Sequence, residues 1–233
     1  MFQMRIKITL LAIAVVCLTA TIGLAGFTAH DIDIAADGAQ SVDAIDLDGD
    51  GDIDVLSASQ LDTTIAWYEN DGTGNFTPHD ISVTATNASS VYAEDVDGDG
   101  LMDVLSACSS TIEWYENDGV GGFIGGYIID GTLTTPRSVY AEDVNGDGYM
   151  DVLSAGDNTV AWYQNDGTGS FTPHVITNSA TGASSVDAVD VDGDGDIDVL
   201  SASASDNTIA WYENDGFGSF TPHVITNSAM GAS

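Results

Sequence analysis

Four tryptophans, Trp67, Trp114, Trp162 and Trp211, recur at steps of 47, 48 and 49 residues, each inside one phrase: IAWYENDG, IEWYENDG, VAWYQNDG and IAWYENDG. A step of this length marks one supersecondary unit copied along the chain, because a unit that cannot bury its apolar face alone must stack on its neighbours. Acidic loops beginning at Asp46, Asp95, Asp143 and Asp190 keep the same step. So does a phrase like FTPHVIT, at Phe76, Phe171 and Phe220 and more loosely at Phe123. The repeat region is residues 26–233, with units at about 41–84, 90–130, 138–177 and 185–226.

Within a unit every local signal is β. SVDAVDVD from Ser185 alternates at period two, IDVLSASA follows the acidic loop, TIAWYEN is β-branched and aromatic, and NDGFGSF is a glycine-rich turn into FTPHVIT. Four short antiparallel strands per unit are the pattern of a propeller blade. The expected fold is all-β: a β-propeller, or part of one, with four full four-stranded blades. Ser, Ala and Gly suit the crowded strands near an axis, and the Trp-Tyr pair suits the wider gap between blades. FTAHDIDI from Phe27 is a fifth copy of the last strand and predicts an extra N-terminal strand. The closing FTPHVITNSAMGAS matches the segment that leads into the fourth unit. Two readings stay open: part of a larger propeller, or a small one with redundant edge strands.

The loops read DLDGDGDID, DVDGDGLMD, DVNGDGYMD and DVDGDGDID. Calcium takes six to eight oxygens at adaptable geometry, and alternate side chains of a tight loop can face one centre. Side-chain ligands would be Asp46, Asp48, Asp50 and Asp54; Asp95, Asp97, Asp99 and Asp103; Asp143, Asn145, Asp147 and Asp151; and Asp190, Asp192, Asp194 and Asp198. Backbone carbonyls would come from Asp52, Leu101, Tyr149 and Asp196. An EF-hand begins alike but needs a glutamate at position twelve, where this chain has Ser57, Ser106, Ser154 and Ser201. Magnesium demands a stricter octahedron, so the expected cofactor is calcium, about four ions. Solvated acidic turns are the bland alternative. Four copies that keep the ligand positions while the others vary argue against it.

Charge narrows the partners. The chain carries 37 acidic and 3 basic residues, a net charge of −34. Such a surface repels nucleic acid and anionic lipid, and the 43% apolar content argues for a folded domain over an acidic tail. Two of the basic residues, Arg5 and Lys7, precede the apolar run Ile8 to Leu24, which reads as an export signal over residues 1–25 with cleavage after Ala25. An uncleaved anchor is the competing reading. Cys17 lies in that segment, which leaves Cys108 alone and excludes an intrachain disulfide in the mature protein.

The loops and the blade pattern resemble FG-GAP and VCBS-type repeats, including the calcium-binding blades of integrin α-subunit propellers. The resemblance covers roughly Phe27 to the end. It implies one calcium per loop, held between the first two strands of a blade. The literal Phe-Gly and Gly-Ala-Pro words are not clear here, and the family's usual propeller has seven blades. No nucleophile elbow, phosphate loop or metal-spaced histidine pair is present. His30, His79, His174 and His223 share one repeat position, with Gly126 in the second unit, which suits structure better than catalysis. Arg137 is unique in charge and aligns with Gln40, Ser89 and Ser184. Asn75 and Asn87 open glycosylation sequons. The expected role is a secreted or surface-exposed module for adhesion to a protein or glycan, without catalysis. A fragment of a calcium-dependent polysaccharide lyase is the enzymatic alternative, and a structural spacer the third.

Overall fold

Alternating apolar and small polar residues, broken by Asp-Gly turns, leave no stretch with a helical stripe, and the described residues contain only strands and turns. The computed structural model describes residues 30–231, so the expected export signal over residues 1–25 lies outside the described residues. No helix among the described residues is long and apolar enough to cross a membrane. The chain divides into Met1–Ile32 and Asp33–Ser233, and all strands belong to the second unit.

The first sheet is β1 (Ala39–Ile45), β2 (Asp54–Ser59), β3 (Thr64–Asn70) and β4 (Phe76–Ser82). The second is β5 (Ser90–Glu94), β6 (Asp103–Cys108), β7 (Thr111–Asn117) and β8 (Phe123–Asp130). The third is β9 (Pro136–Glu142), β10 (Asp151–Gly156), β11 (Thr159–Asn165) and β12 (Phe171–Thr177). The fourth is β13 (Ala183–Val189), β14 (Asp198–Ser203), β15 (Thr208–Asn214) and β16 (Phe220–Thr226). Each is a four-stranded antiparallel meander in sequence order.

The core lies between sheets. On a strand, neighbouring side chains point to opposite faces, so Trp and Tyr of each third strand face different neighbours. Leu56, Ile65 and Trp67 of the first sheet pack on Val91, Ala93 and Tyr115 of the second. Leu105, Ile112 and Trp114 pack on Val139, Val152 and Tyr163. Leu153, Val160 and Trp162 pack on Val186, Val199 and Tyr212. One face of every sheet thus carries Leu, Ile or Val, and Trp, and the other carries Val and Tyr. Burying each of these large side chains is worth about 1.5–3 kcal/mol.

The main packing runs from β1 to β5 to β9 to β13, and no comparable packing returns from β13 to β1 among the described residues. Val42 is accordingly 70% exposed, where its counterparts Val91, Val139 and Val186 are 4%, 4% and 5% exposed. Trp211, on the opposite outer face, is only partly buried, unlike the other three tryptophans.

The extra strand expected from Phe27 does not form in its described part, since residues 30–34 are irregular and Phe27 itself lies outside the described residues. No third strand lies beside it among the described residues. Its chain path still follows the repeat. The Tyr68 hydroxyl donates to Asp33 Oδ2 at 3.2 Å, as the Tyr163 hydroxyl donates to Asp130 Oδ2, at the end of the preceding sheet, at 2.8 Å.

Candidate metal centres

Each acidic loop joins the first and second strands of a sheet and is folded by its own carboxylates. In the first loop, Gly49 N–H donates to Asp46 Oδ1 at 2.9 Å and Gly51 N–H to Asp46 Oδ2 at 3.0 Å. Asp50 N–H donates to Asp48 Oδ1 and Asp52 N–H to Asp50 Oδ1, at 3.1 and 2.9 Å. The second and fourth loops repeat this through Asp95, Asp97 and Asp99 and through Asp190, Asp192 and Asp194. Gly49 and Gly51 have φ of 78° and 97°, and a Cβ on either would meet nothing within 4 Å. Glycine is needed there for its backbone conformation, not for space.

Three loops gather a carboxylate triad whose oxygens lie within 4.8 Å of one another: Asp46, Asp48 and Asp50; Asp95, Asp97 and Asp99; and Asp190, Asp192 and Asp194. The third loop has an amide at the middle place. Asn145 Nδ2 donates to Asp147 Oδ2 at 2.9 Å, and Asp143 accepts from Asp147 N–H and Gly148 N–H. The side chains at position seven, Asp52, Leu101, Tyr149 and Asp196, sit over Gly72, Gly119, Gly167 and Gly216 of the turn between third and fourth strands.

Position nine differs from the triads. Asp54, Asp103, Asp151 and Asp198 are all buried. Asp54 accepts from Leu47 N–H at 2.9 Å and from Asn70 N–H at 2.8 Å, so it ties the loop to the third strand. Asp103 and Asp198 do the same. In the third sheet, Asn165 N–H reaches Asp151 Oδ1 at 2.8 Å, while Asp151 Oδ2 is buried. Burial pushes the carboxyl of Asp103 up to about 6 and that of Asp151 up to about 7. A buried carboxyl beside Asp143 and Asp147, with Val144 N–H of its own loop facing it, completes a set of oxygen donors that suits a hard divalent cation. The residues fit calcium. A bound ion would supply the charge that converging carboxylates lack.

Sequence reasoning missed the asparagine that closes each third strand. Asn117 Nδ2 donates to Met102 O in its own sheet and to Leu47 O in the sheet before, at 2.9 and 3.0 Å. Asn165 bridges Met150 O and Val96 O in the same way, and Asn214 bridges Ile197 O and Val144 O. Asn70 reaches only Ile53 O. Its recurrence in the phrase ENDG was the available signal, but NDG also reads as an ordinary turn. Three of the four histidines, His79, His174 and His223, stack on Trp67, Trp162 and Trp211 with centroids 4.6, 4.6 and 4.5 Å apart, and His79 and His223 also meet Glu69 and Glu213. Cys108 is buried, which pushes its thiol up to about 11.

Four copies of a β-meander, each with an Asp-rich loop between its first two strands, define a repeat protein of the blade type. The chain belongs to the FG-GAP-like repeat family, whose pattern matches residues 46–106, 95–154, 143–201 and 190–233. No curated protein matches the chain. Among solved structures it resembles an Agrocybe aegerita lectin that recognises non-reducing terminal N-acetylglucosamine, at 20% identity and TM-score 0.58, covering 80% of this chain and 52% of the lectin. It also resembles the V. cholerae biofilm matrix protein Bap1, at 24% identity and TM-score 0.53, covering 81% of this chain and 28% of Bap1. A functionally unknown protein from Desulfotomaculum acetoxidans matches at 14% identity and TM-score 0.56, covering 83% and 59% of the two chains. These likenesses establish the shared fold. The chain spans between about a quarter and three fifths of their lengths.

Proposed function

We propose that this chain is an exported, calcium-stabilised propeller-type module that binds a protein or glycan at the cell surface or outside the cell, without catalysis. The observation that carries the reading is the convergence of carboxylates in three of the four loops of a chain with almost no basic residues. Three triads, and Asp143 and Asp147 beside the buried Asp151, offer four oxygen-rich centres, and among the described residues no lysine or arginine pairs with them. Repulsion at these distances is poorly screened by ordinary salt. Calcium resolves it.

The absence of catalysis is proposed from symmetry. A reaction needs one asymmetric group of side chains, whereas the histidines recur and are held by stacking. A partner outside the cell is supported by the positive, apolar start of the chain and by the likeness to a lectin and a biofilm matrix protein. Titration calorimetry on folded protein tests the calcium part. About four sites are expected, and fewer than two would sink it. Mass spectrometry of exported material tests the export part, with a new N-terminus expected near Gly26 and an intact Met1 in the cytosol refuting it.

A further inference from the structure

We infer that the cavity around Arg137 binds a carboxylate-bearing sugar, the acidic unit of a glycan. This deepens the adhesion reading and rests on it. The cavity holds about 750 Å3 and is lined from all four sheets, within the ~300–1,000 Å3 of small-molecule sites. Repeat-equivalent residues meet there: Gln40, Ser89, Arg137 and Ser184 each lie near the start of a first strand. Three of the four are small or neutral. One is a guanidinium.

The repeat breaks here in four linked places. Thr135 adopts φ +46°, where the equivalent residues are Gly38, Asn87 and Gly182, so a β-branched residue holds a strained left-handed backbone. Pro136 stands where the other sheets have Ala39, Ala88 and Ala183. Gly156 stands where they have Ser59, Cys108 and Ser203, and a Cβ on it would lie 2.6 Å from Pro136 Cα. Gly156 therefore lets the backbone of Thr135 and Pro136 approach closely, and the proline ring stiffens the segment that carries Arg137. Packing does not require this, since the other three sheets manage with alanine. Ser89 Oγ also donates to Pro136 O at 2.8 Å, which holds this segment from the neighbouring sheet.

The charge pattern names the ligand chemistry. No acid lines the cavity, although the chain carries 37. Arg137 is the sole basic side chain among the described residues, is exposed, and makes no ion pair with a carboxylate there. Its planar fork suits two-point contact with a carboxylate. Beside it, the amides of Gln40, Gln60 and Asn87 both donate and accept, as adjacent sugar hydroxyls do. Asn87 Nδ2 donates to Ser109 Oγ at 2.7 Å and Gln40 Nε2 to Gly38 O at 3.1 Å, which fixes two of those amides. Nucleic acid and lipid surfaces present many charges to a molecule of net charge −34 and are repelled. A single carboxylate meets no acidic side chain in the cavity wall.

Ligand-observed NMR titration of the full chain in calcium tests this, with D-glucuronate, D-galacturonate, their neutral parent sugars and N-acetylaspartate amide as probes. At least one uronate should bind roughly tenfold or more tightly than its parent, the worth of one charge-assisted contact. Arg137→Ser, which installs the residue found at Ser89 and Ser184, should abolish that preference, and Arg137→Lys should retain part of it. Unchanged calcium-dependent melting shows that the variants fold. The inference is overturned if neither uronate exceeds its parent, if Arg137→Ser binds as well as wild type, or if N-acetylaspartate amide binds as tightly as the uronates. Should neutral glycans or a protein still bind the chain in any of those cases, the adhesion reading stands and only this site fails.

Discussion

The side-chain amide of Asn117 donates to the backbone carbonyl of Leu47 across the boundary between the first two sheets, at 3.0 Å and out of contact with water. The same amide serves Met102 O at the mouth of its own loop. One side chain thus couples each of the second, third and fourth acidic loops to the loop of the sheet before it.

Removing such a bridge strands two buried carbonyls, a loss of about 1–3 kcal/mol. Asn165→Ala should therefore lower the melting temperature in calcium clearly. Asn70→Ala should cost much less, because Asn70 serves one carbonyl in an exposed setting. Differential scanning calorimetry of both variants checks this, and equal losses would contradict the bridging role.

Stripping the metal should loosen or unfold the protein. Each site adds about 2.7 kcal/mol when calcium is a hundredfold above its Kd, so four independent sites would approach the whole stability of an ordinary domain. Melts in calcium, in chelator, and in chelator with molar monovalent salt should rank in that order, with salt rescuing partly. Three coincident curves would remove calcium as the stabiliser, and full rescue by salt would make the acids a salt adaptation.

Single loops should be separable. Asp50→Ala removes one member of the first triad and should abolish one calcium site in calorimetry while the others persist. Asp54→Ala should damage more than binding, because Asp54 also holds Leu47 N–H and Asn70 N–H. Its melt in chelator should drop by more than that of Asp50→Ala, which loses only the exposed bond from Asp52 N–H.

Acid should act in opposite directions with and without metal. Asp103 and Asp151 have folded-state values near 6 and 7 against an ordinary 3.8. A raised carboxyl value means that the folded protein holds protons the unfolded chain has released. Without calcium, stability should fall as pH rises from about 4 to about 7. With calcium the carboxylate form is the one bound, so affinity should weaken as pH drops through the same window. Chelator-treated melts that are flat across it would refute the assignment.

Much of this architecture was legible in advance because a repeat averages out local ambiguity. Trp67, Trp114, Trp162 and Trp211 announce the period, and the two-residue alternation around them assigns the strands. The loop spacing likewise pointed to Asp46, Asp48 and Asp50, which the fold brings together. What sequence similarity does not carry is pairing. FTAHDIDI looks like β4, yet no third strand lies beside residues 30–34 among the described residues, and they stay irregular. Nor does it carry convergence across sheets. Arg137 stood out as a lone charge, but its meeting with Gln40, Ser89 and Ser184 depends on how four sheets approach one another. The dual task of Asp54, buried and bonded to its own loop and to the third strand, is equally a product of packing.

The translational sameness of the sheet boundaries, Leu, Ile or Val and Trp on one side against Val and Tyr on the other, has a consequence for how such a gene can change. Any unit brings both halves of the joint it needs. An in-frame duplication or deletion of one 47- to 49-residue period would leave every remaining boundary with a matching mate. Blade number is thus open to recombination in a way that a core with unique contacts is not. Variation between relatives should appear as whole periods gained or lost before it appears as rebuilt interfaces.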